Sequence, residues 1–445
     1  MLRPDGKIKS LSRSGLCLAI SVLAPLVSAH GRGASTDFLL STEFILPKES
    51  EVGLEIKARS PGASWATKGA EASALLIEVD GKYNQDLILW AGDSPFVYRM
   101  MLGRLAPGKH RVSVTLNKAR SAPGAQRAIV LSLRPIPLTV NSQPTADYLL
   151  ALAHSPVLYQ RANTIDGFSD LPLLMYYEIL HPNNQELLIR YTIIFTNEDR
   201  GTPTAALMAR WGRAAAIKWA HEFRAVAGQI VEERYQAVGH ETKPFNGEKI
   251  NGAHPVLAVA SDNNNFSDEL RSSVRFALLP VAADLRNLPR ESVMDANPWT
   301  YRAVAEELLR EGKLKAEPSD VNSISDPRNY VYVDLHAIQN ETAISVVATS
   351  TGQSQSAVSD LGEARLRIDR TGYFRTAIRL ESPEAAASAS SVTVRCYSAI
   401  AHECQEVEVR SAAVLDRNYK PRSFQVSHRP PITLKSNESL TIALH

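Results

Sequence analysis

The run His110-Arg111-Val112-Ser113-Val114-Thr115-Leu116 carries an apolar or ring side chain at every second position and a polar one between. Successive side chains leave opposite faces of a strand, so a period of two specifies a strand with one buried face. Pro107-Gly108 supplies a turn just before it. The same signature recurs at short spacing. Leu75-Leu76-Ile77-Glu78-Val79 is followed by the turn pair Asp80-Gly81, and Asp86–Trp90, Phe96–Leu102 and Ala128–Leu133 supply further strands. Short strands separated by turn residues predict a β-sandwich over residues 35–140. Ala63–Lys68 reads as a loop that exposes Trp65.

Arg134-Pro135-Ile136-Pro137 reads as a linker, and Thr145 caps a short helix from Ala146 to Ala153. Residues 145–320 mix both periodicities and are expected to form an α+β domain. Leu173–Leu180 and Leu187–Thr196 are strands around a turn at His181-Pro182-Asn183-Asn184. Thr202-Pro203 opens a helix that Gly212 ends. Ile217, Trp219, His221 and Phe223 then alternate with Lys218, Ala220, Glu222 and Arg224, which predicts a half-buried strand with Trp219 on its apolar side. Gln229–Val238 returns beside it. Tyr301, Val304, Ala305, Leu308 and Leu309 share one helical face, with Asn297 as cap, Pro298 in the first turn and Gly312 as stop. Residues 326–445 revert to strands, including Ala364–Ile368, with an Ala/Ser-rich loop at Pro383–Ser391, and predict a second β-sandwich. The fold class expected is therefore mainly β and multidomain: an N-terminal β-sandwich, a central α+β domain and a C-terminal β-sandwich.

The first residues point to export. Arg3, Lys7, Lys9 and Arg13 precede an apolar run from Leu16 to Val27, and Val27-Ser28-Ala29 offers small residues for cleavage. The run is shorter than the roughly 20 residues a membrane span needs, so residues 1–29 read as a signal peptide. Secretion or a periplasmic location follows, with no membrane span after cleavage. Removing Cys17 with the signal leaves Cys396 and Cys404, which an oxidising compartment would join. Residues 1–29 hold four of the 49 Lys and Arg and one of the 47 Asp and Glu, leaving 45 against 46. That near-zero balance argues against a strongly basic nucleic-acid binder.

Several chemistries are missing from the sequence. It has no phosphate-binding Gly-rich loop, no dinucleotide fingerprint, no zinc-finger cysteine spacing and no Gly-x-Ser-x-Gly elbow. What remains are oxygen-rich loops. Glu198 and Asp199 follow an apolar strand, and Asp262-Asn263-Asn264-Asn265-Phe266-Ser267-Asp268 forms a second loop. Calcium or another divalent cation binds through several carboxylate and amide oxygens, which makes Glu198, Asp199, Asp262, Asn264 and Asp268 the candidate ligands. The second loop departs from an EF-hand, with Ser267 in place of glycine at position six. His240 and His254 flank an irregular stretch, and Glu198, Asp199 and His254 form the candidate catalytic set if they converge. Trp65 and His240 are the candidate binding residues.

Three functions fit these features. The first is an exported protein that binds glycan or another cell-envelope component, with hydrolysis in the central domain. The second is a non-catalytic extracellular interaction or adhesion protein. The third is a metal-dependent ester or phosphoester hydrolase. Reading the β-modules as carbohydrate-binding rests on fold analogy.

Overall fold

The computed structural model describes residues 36–138, 146–183, 185–351, 356–400, 402–427 and 430–445. The expected signal peptide, Cys17, Thr145 and Asn184 lie outside the described residues. Mainly β structure is what the chain forms, in several sheets.

Seven strands open the described chain: β1 (Thr36–Leu46), β2 (Ser50–Arg59), β3 (Ala74–Val79), β4 (Lys82–Ile88), β5 (Phe96–Leu105), β6 (Gly108–Asn117) and β7 (Ile129–Pro137). They make a four-stranded sheet ordered β1-β6-β3-β4 and a three-stranded sheet ordered β5-β2-β7. Leu54 and Ile56 of β2 share one core with Leu75 and Ile77 of β3 and with Val112 and Val114 of β6. The alternation in β6 is thus the pattern of a strand whose Val112, Val114 and Leu116 face that core.

Residues 134–137 correct the expected linker. They belong to β7, where Pro135 stands opposite Leu54 and Pro137 opposite Val52. β7 is an edge strand, where proline is tolerated because one row of N–H groups needs no partner.

The middle of the chain adds α1 (Ala146–Ala153), β8 (Val157–Tyr159), β9 (Pro172–Asn183), β10 (Glu186–Phe195), α2 (Thr204–Trp211), β11 (Ala216–Val226), β12 (Gln229–Gln236), β13 (Thr242–Pro244), β14 (Lys249–Ile250), β15 (His254–Val259), β16 (Phe266–Ser267), β17 (Arg275–Phe276), β18 (Val281–Ala282), α3 (Ser292–Ala296) and α4 (Trp299–Arg310). A six-stranded sheet runs β13-β12-β11-β10-β9-β18. A smaller one runs β14-β15-β8-β17, with β16 paired to β15. β11 contains a register shift: Tyr191 of β10 stands opposite His221, whereas Thr192 stands opposite Trp219. One extra residue reverses the face of everything beyond it. Trp219 is therefore half-buried beside Arg190, 5.6 Å from its guanidinium, rather than in the apolar core. Asn297 makes no cap to α4; its amide donates instead to Val293 O at 2.9 Å.

The last part comprises β19 (Tyr330–Ile338), β20 (Thr342–Ser350), β21 (Ala357–Val358), β22 (Gly372–Arg379), α5 (Pro383–Ala387), β23 (Ala389–Ser398), β24 (Cys404–Leu415), β25 (Pro421–Ser423), β26 (Ile432–Leu434) and β27 (Ser439–Ala443). Its two sheets, β22-β19-β24-β25 and β21-β20-β23-β27, enclose a core of Val331, Val333, Ile344, Val346, Val392 and Val394. Two expectations fail here. Ala364–Leu366 is a 3₁₀ turn rather than a strand. Pro383–Ala387 is a helix, started by Ser382 Oγ accepting the Ala385 N–H, with Ala386 buried.

Residues Ser35–His445 form one compact unit. The core that begins at Leu46 continues through Tyr176, Val304 and Leu308 to Tyr330 and Tyr332. Gly212 marks one tight junction. Its φ is +60°, and a Cβ there would lie 2.3 Å from Cγ of Arg375.

Cys396 and Cys404 are joined at a sequence separation of 8. So short a loop confers about 2–3 kcal/mol by the chain-entropy relation. Replacing both cysteines with serine is expected to lower stability by that amount, read by urea unfolding of the oxidised wild type beside the variant.

Candidate functional site

The loops singled out in the sequence do meet, at the end of the β9–β12 sheet. Asp199 and Asp262 converge, as a cation site requires, but the cation is Arg161. Its guanidinium bonds Asp199, Asp262 at 2.5 Å and Asp170 at 3.2 Å. Burial raises the Asp199 carboxyl against the pull of Arg161, and burial with the neighbouring Asp199 and Glu307 raises Asp170 well above its usual range. Asn264 turns inward, where its amide donates to Asn197 O at 2.8 Å. Asp268 accepts the Asn246 N–H at 2.8 Å. Among the described residues no group of three or more His, Cys, Asp or Glu side chains is arranged to hold a metal ion. Of the five candidate ligands, Asp199 and Asp262 are thus tied into an arginine-centred network.

Glu198 faces Lys218, with 3.7 Å between its Oε2 and the amine. Burial raises the Glu198 carboxyl, opposed by Lys218, and the same burial lowers the Lys218 amine to about 8. Lys218 also donates to Asn263. Gly201 lets the chain close over the pair: at φ +130°, a Cβ would lie 2.8 Å from Glu198 Oε2. Burial thus moves the two groups' pKa values toward each other, the carboxyl upward and the amine downward. His240 stands at the rim, its Nε2 3.2 Å from Asn263 Nδ2, and burial lowers its pKa.

His254 does not join them. Its ring is fully buried, with Nδ1 2.7 Å from Ser155 O and Nε2 3.0 Å from Glu51 Oε2. Both ring nitrogens face acceptor oxygens, and Glu51 is tied in turn to Arg104 at 3.0 Å. This chain of contacts fastens β15 to the turn after α1 and to β2, so His254 is a staple between segments rather than a base beside Glu198.

Trp65 is also corrected. Only 1% of it is exposed, with Arg310 4.6 Å above its ring and Phe168 edge-on at 6.2 Å. The small residues around it let the loop fold inward.

The aromatic surface lies elsewhere. A cavity of about 390 Å³ opens between β4–β5 on one side and β9 and the start of α4 on the other. Trp90 and Trp299 stack in its wall, ring centroids 5.1 Å apart and planes inclined by 19°. Phe96 meets both rings at 4.7 and 5.3 Å, and Tyr98 meets Phe96 edge-on at 5.0 Å. Trp299 and Phe96 stay half-exposed, while Trp90 is almost covered. Arg99 and Asn297 supply polar groups to the same wall. Trp299, in the first turn of α4, packs one side against the main core and lines the cleft with the other residues of its wall.

No protein family matches the chain. No curated protein matches it either. Solved structures give distant likenesses. One is a sugar-binding protein, the EclA C-terminal domain: 15% identity, 23% of this chain and 68% of that one, TM-score 0.18. Another is a β-glucuronidase from Ruminococcus gnavus, in complex with uronic deoxynojirimycin: 11% identity, 48% of this chain and 41% of that one, TM-score 0.15. A two-domain portion of extended-synaptotagmin 2 aligns over 90% of this chain and 93% of its own length, at 10% identity and a TM-score of 0.11. At such scores none of them defines the fold.

Proposed function

We propose that this is an extracytoplasmic carbohydrate-binding protein whose saccharide rests in the cleft of Trp90, Phe96 and Trp299. The observation that carries the reading is the stacked Trp90–Trp299 pair in the wall of a ligand-sized cavity. Sugars present apolar C–H faces to aromatic rings and hydroxyls to polar groups, and Arg99 and Asn297 line the same cavity. The cleft lies between the 35–140 and 145–320 segments, and the three-part organisation with a third module at 326–445 belongs to the same proposal. Junctions between domains are common places for ligands. The disulfide and the signal-like first residues support an oxidising, extracytoplasmic location. Hydrolysis is not part of this reading, because the Glu198–Lys218 pair lines no part of the cleft.

A glycan array probed with the mature chain and with Trp299→Ala tests the reading. Loss of a central aromatic anchor is worth about 2 kcal/mol, so binding should weaken roughly thirty-fold. Trp299→Phe, which keeps part of the stacking face, should fall between the two. Equal array signals for all three proteins would contradict the assignment.

A further inference from the structure

Arg370 precedes β22, and its guanidinium lies 5.4 Å from the Trp211 ring and 5.2 Å from the Phe374 ring. Arg210 approaches the same indole at 5.4 Å. Arg210 and Arg213 each have a carboxylate, Asp369 for the first and Glu291, at 2.8 Å, for the second. Arg370 has none: it makes no ion pair with any described residue, and its buried Nη1 has no hydrogen-bond partner. Burial pushes the guanidinium down to about 10, against the pull of Glu291, with Arg213, Arg210 and the exposed Arg290 adding to the effect. Four arginines thus share two carboxylates, and the half-buried Arg370, which has none, holds its Nη1 out of water without a hydrogen-bond partner. A desolvated, unpaired guanidinium is costly, and a planar oxyanion is the group its fork of N–H donors fits.

We propose that Arg370 and Arg210, both against the Trp211 ring, form with the neighbouring Arg213 a binding site for an oxyanion: a carboxylate, sulfate or phosphate group. The site shares no residue with the aromatic cleft, so it stands or falls independently of the saccharide reading.

The test is thermal melting of the full mature chain in sodium sulfate, sodium phosphate and sodium glucuronate, against sodium chloride of equal ionic strength. Glucose serves as the neutral control. Sulfate stabilises many proteins by exclusion from their surface, so Arg370→Met is melted in parallel. The wild type should show a saturable rise of about 3 °C or more in at least one oxyanion, and the variant none. Each protein's rise is read against its own melting point in chloride, because Arg370→Met also loses the guanidinium's contacts with the Trp211 and Phe374 rings. A response to glucuronate but not to the inorganic salts would assign an acidic sugar as the source; the reverse would assign a free or esterified inorganic oxyanion. Equal rises in both proteins, or none in the wild type, would overturn the proposal. If Arg370→Met is not recovered folded, Arg370→Lys keeps the charge and loses the fork, and its oxyanion Kd should rise at least ten-fold; an unchanged Kd would count against the site.

Discussion

Arg375→Met is expected to destabilise the chain by about 3–5 kcal/mol, the usual cost of stranding buried carboxylates. Arg375 is the joint between the last sheets and the helices before them. Its Nε and Nη2 bond Asp334 at 2.6 and 3.0 Å, and its Nη1 and Nη2 bond Asp295 at 2.9 and 2.6 Å. Tyr301 Oη lies 2.9 Å from Nη1, and Ser411 donates to Asp334 at 2.7 Å. Burial alone would lower the guanidinium pKa, but Asp334, Tyr301 and Asp295 hold it well above the usual value. Methionine replaces the stem and none of the five donors. Urea unfolding measures the cost, and the double variant Arg375→Met/Asp334→Asn should recover part of it. A loss below about 1 kcal/mol would mean that the pairing merely offsets its own desolvation.

Glu307→Gln should change how stability depends on pH. Glu307 is fully buried on α4, and its Oε1 accepts the Asp170 N–H at 3.1 Å. Burial, reinforced by Glu311 and opposed by Arg310, raises its carboxyl from 4.5 to about 8. A raised pKa means that the folded state keeps a proton the unfolded chain releases. The contribution is therefore complete below pH 4.5 and is lost progressively as pH climbs through 8. On the order of 3 kcal/mol should disappear from the wild type over that window. Glutamine keeps the shape and the acceptor and cannot ionise. The variant should match the wild type near pH 5 and exceed it near pH 8 in parallel denaturant titrations. Curves that stay parallel from pH 5 to 8 would show that Glu307 ionises freely in the folded chain.

Much of the strand content was legible because alternation is a local property. β6 and β22, as well as the β11–β12 hairpin, follow from their own residues. The failures have particular causes. Pro135 and Pro137 looked like breakers because sequence does not say which strand lies at an edge. The bulge in β11 turned Trp219 to the other face, and a bulge leaves no trace in the alternation that precedes it. Pro383–Ala387 was hidden by its small residues, although Ser382 and Pro383 are a helix start.

The meeting of the two acidic loops was legible as a possibility, and the partners of their side chains were not. Asp199 and Asp262 do gather, but Arg161 lies 101 residues before Asp262, and nothing local announces that it would pair with both. The same holds for Glu51, which lies 203 residues from His254. Trp90 and Trp299 come from distant segments, so a cleft between them is a property of packing alone.

The most direct test is calorimetric titration of the array's best saccharide into wild type, Trp299→Ala and Arg370→Met. If the cleft is the saccharide site, a neutral sugar should bind wild type and Arg370→Met alike and Trp299→Ala roughly thirty-fold more weakly. Equal binding by Trp299→Ala, or no saccharide that binds the wild type at all, would contradict carbohydrate recognition at Trp90, Phe96 and Trp299.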